Sequence, residues 1–142
     1  MAARHCHKHS LEDLPKNARL VLEDLSRVRG PATAYEILER LRPHGIAAPP
    51  TVYRALNQLM ERGVVHRLES LNAFLACSHP RHGEGTAFVI CHDCGSVEEF
   101  VDEDVNTALG ALAGRKGFEL DHATIELSVL CAACRPAGEN RP

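Results

Sequence analysis

The sequence contains no tryptophan, and only 4% of its 142 residues are aromatic. Its core must therefore be packed mainly from leucine, valine, isoleucine and alanine. No apolar run approaches the roughly 18 residues of a membrane span, so no contact with a bilayer interior is expected. The N-terminal residues carry histidines and lack an apolar h-region, so no secretory signal is expected and the chain reads as cytoplasmic. In that compartment paired cysteines serve as metal ligands more readily than as disulfides. A positive excess is missing too: the net charge is −3, which by itself argues against nucleic acid. What remains is a globular composition, 44% hydrophobic and 25% charged, long enough for one ordinary domain or two small ones.

The charge is divided unevenly. Residues 1–82 carry 12 Lys/Arg against 8 Asp/Glu, whereas residues 83–142 carry 4 against 11. A basic half beside an acidic half leaves the first free to meet phosphate while the second does something else.

Along the chain, residues 1–10 are polar and aperiodic and read as a tail, despite His5, Cys6, His7 and His9. Leu11, Leu14, Ala18, Val21, Leu22, Leu25 and Val28 recur at intervals of three and four, predicting an amphipathic helix whose regular part starts near Pro15 and stops at Gly30-Pro31. Thr33 with Glu36 forms a capping box for a second helix, whose stripe is Ile37, Leu38 and Leu41. A third begins near Pro50 and runs to about Arg62, with Val52, Leu56 and Leu59 inward and Gly63 at its end. Segments 64–68 and 73–76, joined through Ser70, Leu71 and Asn72, predict a hairpin. Three helices followed by a two-stranded wing is the order of a winged helix-turn-helix, spanning 11–77. After a linker at 78–85, residues 86–135 predict β-β-α-β: strands at 86–90 and 96–101, a helix from about Glu103 to Lys116, and a long strand from Phe118 to Leu130. The fold class is thus α+β. The second half has few apolar helix positions, so it is expected to pair with another copy and to be fastened by metal, with residues 136–142 a second tail.

Cys91-x-x-Cys94 and Cys131-x-x-Cys134 are the strongest chemical signal. Two intervening residues let both thiolates of a turn reach one ion, and two such turns complete a tetrahedron. The 36 residues between the pairs exceed a simple zinc ribbon and leave room for a helix and a strand. A closed four-sulfur site has no open position and is structural rather than catalytic. Redox pairs or disulfides are the competing reading.

A second cluster is more dispersed: His66 in the wing, Cys77 just after it, His79 and His82 in the linker, and Glu99 after Cys94. One ion held by His66, Cys77, His82 and Glu99 suits four-coordinate zinc, with His79 the alternative to His82. The third signal is the helix P-P-T-V-Y-R-A-L-N-Q-L, which presents Thr51, Arg54, Asn57 and Gln58 opposite its apolar stripe. Arginine reads guanine, and asparagine or glutamine reads adenine, in the major groove. Tyr35 and Arg19 are candidate phosphate contacts.

The runs T-A-Y-E-I-L-E-R-L and P-P-T-V-Y-R-A-L-N-Q-L-M-E-R-G-V-V-H-R-L-E-S resemble the ferric uptake regulator family of bacterial metal-dependent repressors. The H-R-L-E-S wing followed by Ala-Cys, with the double C-x-x-C, is similar to the family's zinc-uptake branch. The resemblance covers roughly residues 11–135. It implies an N-terminal winged-helix DNA-binding domain, a C-terminal dimerisation domain, and zinc-dependent repression of zinc-acquisition genes. It further implies two zinc ions per chain: a structural one at Cys91, Cys94, Cys131 and Cys134, and a regulatory one at His66, Cys77, His82 and Glu99. Tyr35 and Arg54 match positions used for DNA contact. A further family site uses a His-x-His that this loop lacks; Asn106 stands near its expected glutamate and only His122 remains, so that site is not expected. The implied partners are double-stranded operator DNA and a second copy of the chain, with no small-molecule substrate. An iron, manganese or peroxide sensor is the alternative within the family, and the Cys77 thiolate argues against it. A hydrolytic zinc centre with Glu84 as base, or a purely structural zinc protein, are the alternatives outside it.

Overall fold

The structure is a computed structural model in which residues 13–78, 86–121 and 123–137 are described. The chain divides into two compact units, Met1–His82 and Gly83–Pro142. Among the described residues no helix is long and apolar enough to cross a membrane.

The first unit is a helical core with a wing. Helix α1 (Lys16–Arg27) follows Pro15, which stands at its N-cap, and buries Ala18, Val21 and Leu25 on one face. Helix α2 (Ala34–Leu41) starts from the capping box at Thr33 and buries Ala34, Ile37, Leu38 and Leu41. The Glu36 amide donates to the Thr33 hydroxyl at 3.2 Å and the Thr33 amide donates to the Glu36 carboxylate at 2.7 Å. Two otherwise unsatisfied amide donors are thereby paired, and the direction of the helix is fixed. Arg40 on α2 binds Asp24 on α1 through two parallel hydrogen bonds, Nε to Oδ1 at 2.9 Å and Nη2 to Oδ2 at 2.7 Å. The pair ties the first two helices together at the rim of the core.

Helix α3 (Pro49–Glu61) buries Val52, Ala55, Leu56 and Leu59 against the other two. It ends in a Schellman motif: the Gly63 amide donates to Met60 O and the Val64 amide to Leu59 O. Gly63 has φ 71°, a conformation that costs a residue with a Cβ but not glycine. Strands β1 (Val65–Leu68) and β2 (Ala73–Ala76) then form the antiparallel wing, with Val65 opposite Ala76 and Leu68 opposite Ala73. Asn72 closes the turn at φ 46°. Ala32, between α1 and α2, exchanges two backbone hydrogen bonds with Phe74, at 2.9 and 2.8 Å. This single-residue bridge attaches the wing to the helices, and no sequence pattern announces it.

The second unit is a three-stranded sheet in the order β4-β3-β5 with one helix. Strand β3 (Thr86–Cys91) is central, antiparallel to β4 (Val97–Val101) and parallel to β5 (Thr124–Val129). Helix α4 (Glu103–Arg115) is the crossover between the edge strands, capped by Asp102, whose carboxylate accepts from the amides of Asp104 and Val105. The second unit's described buried apolar residues, Ala87, Phe88, Ile90 and Cys91, all belong to β3. Helix α4 buries none of its own.

One expectation needs correction. The strand anticipated from Phe118 to Leu130 is confined to Thr124–Val129. The preceding residues finish the helix instead: the Phe118 amide donates to Ala113 O and the Gly117 amide to Gly114 O. This is a second Schellman end, and it diverts the chain before it can extend. Residues 1–10 and 138–142 of the two tails, Leu11, His79, His82 and Glu84 of the linker, and His122 lie outside the described residues.

Candidate functional site

The four paired cysteines come together. Cys91 ends β3, Cys94 closes the turn that follows, and Cys131 and Cys134 form a second turn two residues beyond β5. The parallel pairing of Cys91 with Val129 brings the two turns side by side. Each is tied locally, by the Gly95 amide to Cys91 O at 2.9 Å and by the Cys134 amide to Cys131 O at 3.0 Å. The His92 amide donates to Val129 O and locks one turn to the other strand. All four sulfurs lie within 4.8 Å of one another.

The spacing discriminates among the readings left open by the sequence. Cys94 Sγ stands 3.8 Å from Cys131 Sγ. A disulfide holds its sulfurs about 2.05 Å apart. A tetrahedron with zinc–sulfur bonds of about 2.3 Å has edges of about 3.8 Å. All four are free thiols. The donor set and its spacing fit tetrahedral zinc.

The electrostatics agree. The Cys91 thiol is pulled down to about 6, first by the Cys94 amide and then by the Cys131 amide. The latter lies 3.4 Å from the sulfur. Cys94 is lowered as well, chiefly by the hydroxyl and then the amide of Ser96. Cys134 moves the other way, because the sulfurs of Cys131 and Cys94 hold its proton. Four sulfurs this close cannot all ionise without a cation among them, and a soft-donor tetrahedron suits zinc.

His66 and Cys77 also meet. Their ligand atoms, an imidazole nitrogen and the sulfur, lie within 4.8 Å of each other. The register explains why. Val65, Phe74 and Ala76 pack on the helical core. Alternation along a strand then sends His66 to the opposite face of the wing. Cys77 follows β2, and its amide donates to Val64 O at 2.9 Å, extending the ladder by one pair and placing Cys77 on that same outer face. Both residues are half-buried. Glu99 belongs to the second unit, half-buried on β4 opposite Phe88.

On α3, Arg54 and Asn57 face solvent, while Thr51 and Gln58 are half-buried at the border of that face. Tyr53 is 47% exposed beside Arg54 and was absent from the sequence-based set. Its spacing could have found it, since positions 50, 53, 54 and 57 share one stripe of a helix. Tyr35, in the first turn of α2, is 69% exposed, and Arg19 is exposed on α1.

Comparison with known proteins agrees with this arrangement. A model of the ferric uptake regulator family matches residues 20–128. The zinc uptake regulation protein of Escherichia coli K12 is 39% identical over 137 residues, covering 94% of this chain and 78% of that protein. A solved structure of a zinc uptake regulator complexed with zinc and DNA is 41% identical, with a TM-score of 0.79 over 85% of this chain and 82% of that one. The crystal structure of holo XcZur is 43% identical, with a TM-score of 0.77 over 85% of each chain. A winged helical unit, a strand-helix unit with a four-cysteine cluster, and a match over most of the sequence lead to one assignment: the chain belongs to the ferric uptake regulator family.

Proposed function

We propose that this protein is a zinc-responsive transcriptional repressor that binds operator DNA as a homodimer when zinc is replete and silences zinc-uptake genes. The observation that carries the choice of metal is the Cys77 sulfur beside the His66 imidazole on the wing. A sulfur donor disfavours the histidine and carboxylate chemistry of iron or manganese sensing and suits zinc. The relatives named for zinc uptake regulation, and the neighbour solved with zinc and DNA, support the same choice.

Two ions per chain follow, in separate roles. Cys91, Cys94, Cys131 and Cys134 hold the structural one, which compensates for the thin core of the second unit. His66 and Cys77, with His82 or else His79 from the linker and Glu99 from β4, hold the regulatory one. When bound there, zinc supplies a cross-link between the wing and the second unit. The chain's own residues do the rest: Arg54, Asn57 and Tyr53 face the major groove, flanked by Thr51 and Gln58, while Tyr35 and Arg19 meet phosphates. Repression is a population shift, because the ion favours the arrangement of winged domains that fits two half-sites over the others.

The second unit is the dimerisation domain. Phe100, Val105, Leu112 and Leu127 are exposed on it, and Phe118 is 71% exposed. Apolar surface of this extent on a unit with so small a core calls for a partner surface, and a second copy fits the two-fold symmetry of an operator.

Metal content tests the proposal. Zinc-saturated protein should carry two zinc ions per chain, of which mild chelation removes one and leaves a folded dimer. A single tightly held ion per chain contradicts the regulatory site.

A further inference from the structure

Ser96 lies two residues beyond Cys94, and two features fix it there. Its carbonyl accepts the Cys91 amide at 2.9 Å, closing the turn that carries both cysteines. Its hydroxyl oxygen stands 3.2 Å from Cys94 Sγ. Of the four clustered cysteines, Cys91 is buried, Cys131 and Cys134 are half-buried, and Cys94 alone is exposed. The most exposed cysteine is thus the one that meets a side-chain hydroxyl. A thiolate has no proton to give, so when Cys94 ligates an ion the hydroxyl is the donor.

We infer that Ser96 is a positioning residue of the structural zinc site, whose hydroxyl donates to the solvent-facing Cys94 thiolate and slows attack on it by electrophiles. The inference rests on the reading of the four cysteines as zinc ligands. The chemistry is that of a lone pair. A maleimide reacts when a sulfur lone pair forms a bond to one alkene carbon. The alkene π electrons become an enolate, which takes a proton from water. The sulfur is left as a neutral thioether, a much poorer ligand than a thiolate. A hydrogen bond to the sulfur stabilises that lone pair before reaction and is lost as the new bond forms, so it raises the barrier. Cys91 receives comparable protection from the Cys131 amide, and it is buried besides. At Cys94 the Ser96 amide contributes as well, but the larger share comes from a side chain, which a substitution can remove.

The test uses full-length zinc-loaded protein, wild type and the variants Ser96→Ala and Ser96→Thr, with zinc content measured first. N-ethylmaleimide is added, zinc release is followed with a chromogenic indicator, and the modified cysteines are quantified by peptide mass spectrometry. Ser96→Ala should accelerate modification of Cys94 on the order of three- to ten-fold, the effect of losing one ordinary hydrogen bond. Modification of Cys134 in the same molecules should change little, and Ser96→Thr, which keeps a hydroxyl, should restore the slow rate. Loss of zinc from Ser96→Ala but not from Ser96→Thr also supports the hydroxyl. An unchanged Cys94 rate overturns the inference. So does an equal acceleration at all four cysteines, or zinc loss in both variants, since either indicates a loosened turn. Wild-type protein that carries no zinc on these cysteines contradicts the reading of the site itself, a separate outcome.

Discussion

Cys94 Sγ and Cys131 Sγ stand 3.8 Å apart although 37 positions separate them in the chain. The parallel pairing of β3 with β5 creates that approach, and in turn depends on it, because little else holds the second unit. Its described buried apolar side chains all belong to β3. Binding of a structural zinc ion is worth about 10–16 kcal/mol, comparable to the whole stability of a small domain. Cys91→Ser should therefore abolish cooperative unfolding of the second unit and reduce its helical circular dichroism, while the winged unit keeps its own transition. A folded, zinc-replete dimer from that variant would refute the four-cysteine assignment.

Cys77 differs from those four because it ends a wing that already has a core of its own. If Cys77 is a ligand of the proposed regulatory site, its loss should empty that site without disturbing Phe74, Val65 or the Ala32 bridge. Cys77→Ser should bind one zinc ion fewer per chain and lose zinc-dependent operator binding. Its mass in sedimentation should remain that of the dimer. Dissociation to monomers would move Cys77 into the structural class.

The exposed face of α3 proposed to read bases gives a graded expectation. Arg54→Ala and Asn57→Ala should each weaken operator binding by about 1–3 kcal/mol and relax preference at one base position. Tyr35→Ala should weaken binding to all sequences alike, as loss of a phosphate contact does. Gel shifts on an operator and on a series of single-base variants distinguish the two behaviours. Equal losses on every sequence for Arg54→Ala would remove it from base reading.

The capping box at Thr33 and Glu36 ties stability to pH. Thr33→Ala should cost about 1 kcal/mol, read from thermal or denaturant unfolding of the winged unit. The Glu36 carboxyl is held below its ordinary value of 4.5, first by the Thr33 amide and then by its hydroxyl. A depressed carboxyl stabilises the fold above that ordinary value, and the stabilisation is lost as pH falls below it. The difference in stability between wild type and Glu36→Ala should thus be full at neutral pH and narrow in acid. A difference that stayed constant from pH 7 to pH 3 would mean that the carboxylate charge plays no part.

Much of this was legible in the sequence because short-range rules dominate it. The capping box, the Pro15 start, Gly63 after α3 and the Cys-x-x-Cys spacings each constrain structure within a few residues. The parts that escaped depend on distant pairing or on how a helix end competes with a strand. The bridge from Ala32 to Phe74 joins residues with no shared pattern. The strand anticipated from Phe118 was shortened because Gly117 and Phe118 satisfy carbonyls of α4. Tyr53 was not assigned to either side of α3, although Val52, Ala55 and Leu56 already fill the buried one.

The central claim is that zinc, and not iron, controls DNA binding through a site that contains Cys77. The most direct measurement is fluorescence anisotropy of a labelled zinc-importer promoter fragment, titrated with protein in buffered free zinc and, separately, in buffered ferrous iron under anaerobic conditions. Wild type should bind with an affinity that rises at least about 100-fold as zinc increases, within the range of large coupling free energies, with little response to iron. Cys77→Ser should show neither rise. Binding that responds equally to iron, or that persists unchanged in Cys77→Ser, would contradict the account.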